Sequence, residues 1–441
     1  MPIPTLALAP VLLCFAAGCS GTPPRTGADD ASVPSDAATS SSDAAADDAG
    51  VTPPRDGGPP VAGDACRVER RFVVHSGAAD SYLARVAARG DEVGVLYFEE
   101  SPRTLYVGRF ALGDITPMVG DIATLGEVPV IEDTGLVSAG DGFAIAWTDF
   151  TPDPAPRMHV TRYSGGALSG TTTLPGTADA ADTAAGLSES GRVFVVWSQQ
   201  VLPAATWELR SSSSDDGATF APSHVLASGV DFPWRPSVTA APGGGVAVVW
   251  VERRSSPNHS TLRFVRIAED GTPGPVTALV DHDRYIYETS IAFGAGRFLV
   301  ATTDSRADIL RVPLYVTLLE PDGTIVREGV RLTTDYEHDY SGVAFDGATF
   351  GVISVPFMDM ATSNEQQVLL RQLDREATPH FAPLQVSAAS VRESACCVRA
   401  NGARIVSTAP GHYLVAWNQH EQRGTQLVFV IAAATLDCTA P

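Results

Sequence analysis

The chain has no lysine: all 30 basic residues among its 441 are arginine. That excludes Schiff-base lysines, P-loop lysines and lysine nucleophiles. Charged residues are only 18% of the sequence and the balance is −21. Eight acids and two arginines between Ser20 and Asp64 supply part of it, and −15 belongs to the residues that follow. Phosphate backbones are held by lysine and arginine patches, so a nucleic acid is not expected as partner. No metalloprotease His-Glu-x-x-His, Cys-x-x-Cys pair, Gly-x-Ser-x-Gly elbow or phosphate-cradling glycine loop occurs, and the nine histidines are scattered singly.

What the chain does have is a repeated phrase. An eight-residue apolar run returns seven times: VGVLYFEE at Val93, FAIAWTDF at Phe143, VFVVWSQQ at Val193, VAVVWVER at Val246, FLVATTDS at Phe298, FGVISVPF at Phe350 and YLVAWNQH at Tyr413. The starts lie 50, 50, 53, 52, 52 and 63 residues apart, so one supersecondary unit is copied along the chain. Each unit buries its apolar faces against its neighbours, which makes a single closed domain over residues 65–441 the expected organisation.

The copy from Arg235 to Val280 reads most plainly. Pro236 to Ala240 is a short strand, and Pro242-Gly243-Gly244-Gly245 is a tight turn. Val246 to Val251 is a strand buried on both faces. Thr261 to Ala268 alternates apolar and polar, Glu269-Asp270-Gly271 turns the chain, and Val276 to Val280 is a last strand. Asp-Gly turns recur at Asp216-Gly217 and Asp322-Gly323. Four strands with a turn at every junction are one propeller blade, so the expected fold is all-β, a seven-bladed β-propeller of four-stranded antiparallel blades.

The ends predict how the ring closes. After the seventh core strand the chain makes one more strand, Gln426 to Ala433, and lacks the fourth. Cys66 to Val74 precedes the first complete strand pair, in the position of a fourth strand, and is expected to complete the seventh blade and remove its open edge. Cys66 and Cys438 would then meet where a hairpin turn would stand and bond in an oxidising compartment. Cys396 and Cys397 are adjacent, within an insertion from about Ser390 to Gly402, and are left either bonded to each other or free.

Ahead of the repeats, Leu6 to Gly18 (LALAPVLLCFAAG) is too short for a membrane span and suits a secretory h-region. Phe15-Ala16-Ala17-Gly18-Cys19 resembles the lipobox of bacterial lipoproteins, which implies a leader over 1–18 and lipidation of Cys19. Ser20 beside it fits that family's outer-membrane sorting, on the periplasmic or cell-surface side. A secreted propeller with an ordinary cleaved leader is the alternative. Residues 19–64 have almost no large apolar side chain, so they are expected to be a disordered tether with a reach of about 35 to 40 Å.

Ser213-Ser214-Asp215-Asp216-Gly217-Ala218-Thr219-Phe220 resembles the Asp-box of sialidases and related propellers, with Ser213, Asp215, Gly217, Thr219 and Phe220 on the motif. The resemblance implies a sialidase-superfamily propeller in which the box is a structural turn between third and fourth strands. Trp234-Arg235-Pro236 is faintly similar to that family's Arg-Ile-Pro element. A sialidase would need three convergent arginines, a Tyr with a Glu partner and an acid/base carboxylate; Tyr285, Tyr287 and Tyr340 are available by type.

Propeller ligands collect on the face made by loops entering the first strand and leaving the second. Those loops carry Asp231, Trp234 and Arg235; Asp283, Arg284, Tyr285 and Tyr287; and Asp335, Tyr336, Asp339 and Tyr340. Carboxylates interleaved with aromatics suit sugar hydroxyls and sugar CH faces. Glu99, Asp149, Glu252 and Asp304 stand at one level of the core phrases and could gather at the channel mouth to hold Ca²⁺; otherwise no cofactor is indicated. The expectation is a monomeric, lipid-anchored binding or scaffold propeller for a glycan or a protein partner, with a sialidase-like glycoside hydrolase as the alternative.

Overall fold

A computed structural model describes residues 66–439, apart from segments of which the longest are 114–121, 128–133, 150–156, 254–258, 307–311, 334–337, 359–364 and 393–401. The leader, Cys19, the tether and the Cys396–Cys397 pair lie outside the described residues. All described regular structure is strand, arranged as seven antiparallel blades in a ring.

Every apolar phrase is the second strand of a blade. In chain order these are Glu92–Glu99, Gly142–Thr148, Val193–Val201, Val246–Arg253, Arg297–Asp304, Phe350–Met358 and His412–Arg423. The reason is visible in blade four. Val246, Val248 and Trp250 pack with Phe194, Val196 and Leu209 of blade three. Ala247, Val249 and Val251, on the opposite face, pack with Ile291, Phe298 and Val300 of blade five. A strand with a neighbour on each side is apolar at every position rather than at alternate ones. Seven hydrophobic clusters follow from this, one at each boundary between adjacent blades, including that between blades seven and one.

The first strands form the inner ring: Ser81–Arg89, Thr134–Ala139, Ala180–Leu187, Phe232–Ala240, Ile286–Gly294, His338–Phe345 and Arg404–Ala409. Here blades approach closely. At Gly294 of blade five a Cβ would stand 2.0 Å from the Phe345 ring of blade six, so only glycine admits that ring.

The third-to-fourth connections of blades three to six share one device. Asp216, Asp270, Asp322 and Asp374 each accept a hydrogen bond from the backbone N–H two residues on, at 2.8 to 2.9 Å. A short carboxylate that satisfies the turn's own N–H groups favours the turn over continued strand.

The ring closes as the sequence predicts. Arg67–His75 pairs antiparallel with Gln426–Asp437, Arg67 opposite Asp437 and Phe72 opposite Ala433, and so becomes the outer strand of blade seven. Cys66 and Cys438 are bonded. Asp437 accepts from the Thr439 N–H at 2.9 Å, so the seam keeps the aspartate turn although a disulfide replaces the hairpin. Arg71 donates to the carbonyl of Val386 in blade six, and Arg70 to that of Leu112 in blade one. The closing strand is thereby fixed to both neighbouring blades.

Candidate functional site

The inner strands are not regular. In blades one, three, four, five and six the pairing of first with second strand slips near the end where the chain enters the blade. The slips fall at Ala84, at Asp182-Thr183, at Arg235-Pro236, at Tyr287 and at Tyr340. A bulge inserts an unpaired residue, bends its strand and re-aims a side chain. Two of these residues also have left-handed backbones, Asp182 at φ 44° and Arg235 at φ 53°. Such conformations cost on the order of 1–3 kcal/mol in non-glycine residues and persist where the surroundings hold them.

The bulges bring arginines together. A cavity of about 150 Å³ is lined by Arg85 of blade one, Arg235 of blade four, Glu288 and Ser290 of blade five and Arg404 of blade seven. Arg404 Nε donates to the carbonyl of Ala84 at 3.1 Å, and Arg85 Nη1 donates to the same carbonyl at 2.8 Å. One backbone oxygen thus draws two guanidinium groups to the same place. Arg235 Nη1 meets Glu288 Oε1 at 3.0 Å, with both side chains largely out of solvent.

Arg253, the last residue of blade four's second strand, shares the Trp234 ring with Arg235. Its Cζ lies 3.3 Å from the centre of the Trp234 ring and 5.4 Å from that of Tyr285. Arg235 approaches the same indole at 4.8 Å. The Arg253 Nε is out of solvent contact and finds no hydrogen-bond partner among the described residues. Burial, and then the neighbouring Arg235, push the Arg253 guanidinium down to about 10; Tyr285, Tyr287 and Asp182 act in the opposite sense. A cation in this position is held by aromatic faces.

Among the residues expected on the ligand face, Trp234, Arg235, Tyr285 and Tyr287 come together here. Asp283 and Arg284 turn to solvent, and Asp283 Oδ1 pairs with His259 Nδ1 at 2.7 Å. Asp231, Asp335 and Tyr336 lie outside the described residues. Asp339 and Tyr340 belong to the inner strand of blade six, with Asp339 opposite Val355.

The four acids expected at one level of the core strands are each engaged in an ion pair. Glu99 meets His75 Nε2 at 2.9 Å, and Asp149 meets His159 Nε2 at 2.8 Å. Glu252 accepts from Arg263 Nε at 2.9 Å, and the fully buried Asp304 accepts a bidentate pair from Arg306. Each of the four acids is engaged within its own blade or with the closing strand. Among the described residues no group of three or more His, Cys, Asp or Glu is arranged to hold a metal ion. Among the described residues, the charged side chains that line the cavity are Arg85, Arg235 and Arg404 with Glu288.

The turn that resembles an Asp-box is also shifted by one residue. Asp216, not Asp215, accepts from the N–H groups of Ala218 and Thr219, at 2.8 and 2.7 Å. Asp215 is exposed and pairs with Arg192, while Phe220 packs on the core between blades two and three. Gly217, at φ 68°, lets the chain fold back over Asp216.

Arg85, Arg253 and Arg404 were not expected. Arg404 stands in an inner strand whose other residues are small or apolar, and Arg85 lies mid-strand among Leu83, Ala84, Val86 and Ala87; an arginine in such surroundings is the signal that could have found them. Arg253 ends a core phrase and carries no signal of its own.

No protein-family model and no curated protein sequence matches the chain. Solved structures are similar in fold. A protein of unknown function from Dyadobacter fermentans superposes with a TM-score of 0.51 at 10% identity, covering 84% of this chain and 99% of that one. The polysaccharide lyase Uly1 superposes with a TM-score of 0.52 at 8% identity, again covering 84% and 99%. At such identities the likeness establishes the propeller fold alone.

Proposed function

We propose that the protein is an exported, lipid-anchored propeller that binds an acidic glycan, without turning it over, at the mouth of its central channel. The observation that carries this reading is Arg253, a half-buried guanidinium between the Trp234 and Tyr285 rings whose Nε is unpartnered among the described residues. A carboxylate is the group such a cation accepts best, through charge-assisted hydrogen bonds of about 1.5–3 kcal/mol. Indole and phenol rings beside it suit the CH faces of the same sugar. Arg85, Arg235 and Arg404 extend the cationic surface inward. The polysaccharide lyase of similar fold acts on a polymer of sugars, but the proposal rests on the arginine and aromatic geometry. The tether and the lipid on Cys19 would hold this head clear of a membrane surface.

An array of uronate- and sialate-bearing oligosaccharides with neutral counterparts tests the reading. Retention of carboxylated members without release of sugar is expected. Retention only of neutral members, or release of sugar from any of them, would replace it.

A further inference from the structure

The aromatic side chains continue outward from the channel. Phe232 and Trp234, two residues apart on one strand, share a face, and Phe232 stands opposite Arg253 in register. The Trp207 ring, from the third strand of blade three, meets Phe232 edge-on with centroids 4.5 Å apart. Beyond it, Trp207 pairs with Gln200, and the connection leaving that strand carries Leu202, the most exposed of the large apolar side chains described, at 65%. Trp207, Phe232, Trp234, Arg253, Tyr285 and Tyr287 are each partly exposed. Ring contacts thus join Trp207 to Phe232, and Trp234 through Arg253 to Tyr285 and Tyr287, with Leu202 on the connection before the Trp207 strand.

We propose that this row is a track for an acidic oligosaccharide of several units. One carboxylated unit sits at Arg253 and Arg235, and the following units lie over Phe232, Trp207 and Leu202. The inference rests on the reading of the mouth as an acidic-glycan site and adds the length of the ligand and its path. A single sugar would occupy the rings beside Arg253 and leave the outer half of the row uncovered. Arg253 and Arg235 both lie on the Trp234 ring, so the charge that selects the ligand is at the inner end, while Trp207 and Leu202 contribute stacking and apolar contact. This division makes Trp207 a residue that reads chain length and Arg253 one that reads charge.

The test is a calorimetric titration with galacturonate oligomers of one, two, four and six units. The wild type is expected to gain about tenfold in affinity between two and four units, the order of one base–aromatic or sugar–aromatic stacking contact. Trp207→Ala should remove that gain and leave digalacturonate binding unchanged, and Leu202→Ser, on an exposed loop, should reduce it. Binding that is equal at every length, or a Trp207→Ala variant that loses short and long oligomers alike, overturns the track alone. Absence of binding at every length overturns the acidic-glycan reading and the track with it. A length dependence shown by acidic peptides and not by galacturonates would assign the row to a protein partner and overturn the saccharide.

Discussion

Cys66 and Cys438, 372 residues apart in sequence, are joined at the point where the first strand of the fold lies against the last. The bond replaces the one hairpin that a circular array cannot make, since the third and fourth strands of blade seven come from opposite ends of the repeat region. Its effect lies mainly in the unfolded chain, where it removes the freedom of a very long loop. The entropic model gives about 5–6 kcal/mol as an upper figure.

Replacing both cysteines by alanine should therefore lower the melting temperature and leave the blades intact. Hydrogen exchange should show the largest loss of protection in Arg67–His75 and its partner Gln426–Asp437. Loss of protection spread evenly over all seven blades would contradict the closure described.

Arg253 sets stability against binding. Its guanidinium is desolvated and lies beside Arg235, both of which disfavour the charge. Arg253→Gln is expected to keep or raise the melting temperature, since a desolvated cation beside a second cation costs stability. The same variant should weaken binding of carboxylated sugars by about tenfold or more. A strong fall in melting temperature would show that the guanidinium instead holds the Trp234–Tyr285 boundary together.

Acid should act first on the aspartate turns. The Thr439 hydroxyl and N–H, and then Arg67, hold the Asp437 carboxyl down at about 2, and backbone N–H groups likewise depress Asp216, Asp270 and Asp322. A carboxylate whose folded value lies below its unfolded one gives stability that is fully present above roughly pH 4 and is lost as the pH falls through the folded value. Thermal stability should decline between about pH 4 and pH 2, and Asp437→Asn should make that decline shallower. Stability that rises on acidification over this window would refute the role of these turns.

The fold was legible because the strongest physical constraint in it, burial of the second strand on both faces, writes an uninterrupted apolar phrase. Val246 to Val251 could be read for that reason, and the unpaired last blade could be inferred by comparing Cys66 to Val74 with the other repeats. The site was less legible. Trp234, Arg235, Tyr285 and Tyr287 lie near blade boundaries where unlike residues stand out. Arg85 and Arg404 became neighbours only through the ring closure and a shared hydrogen bond to Ala84. The partners of the acids, such as His159 for Asp149 and Arg263 for Glu252, lie on the adjacent strand of the same blade. Pairing across strands is a matter of register, which single-sequence spacing does not reveal. The shift from Asp215 to Asp216 in the turn has the same origin, a backbone geometry one residue out of step with the motif.

The central claim is that the channel mouth recognises negative charge on a sugar. The most direct test is calorimetric titration of the full chain with digalacturonate and with its methyl ester, which keeps the ring faces and removes the carboxylate charge. The acid should bind about tenfold or more tightly than the ester in the wild type, and the two should bind equally to Arg253→Gln. Equal affinity of acid and ester for the wild-type protein would contradict the account.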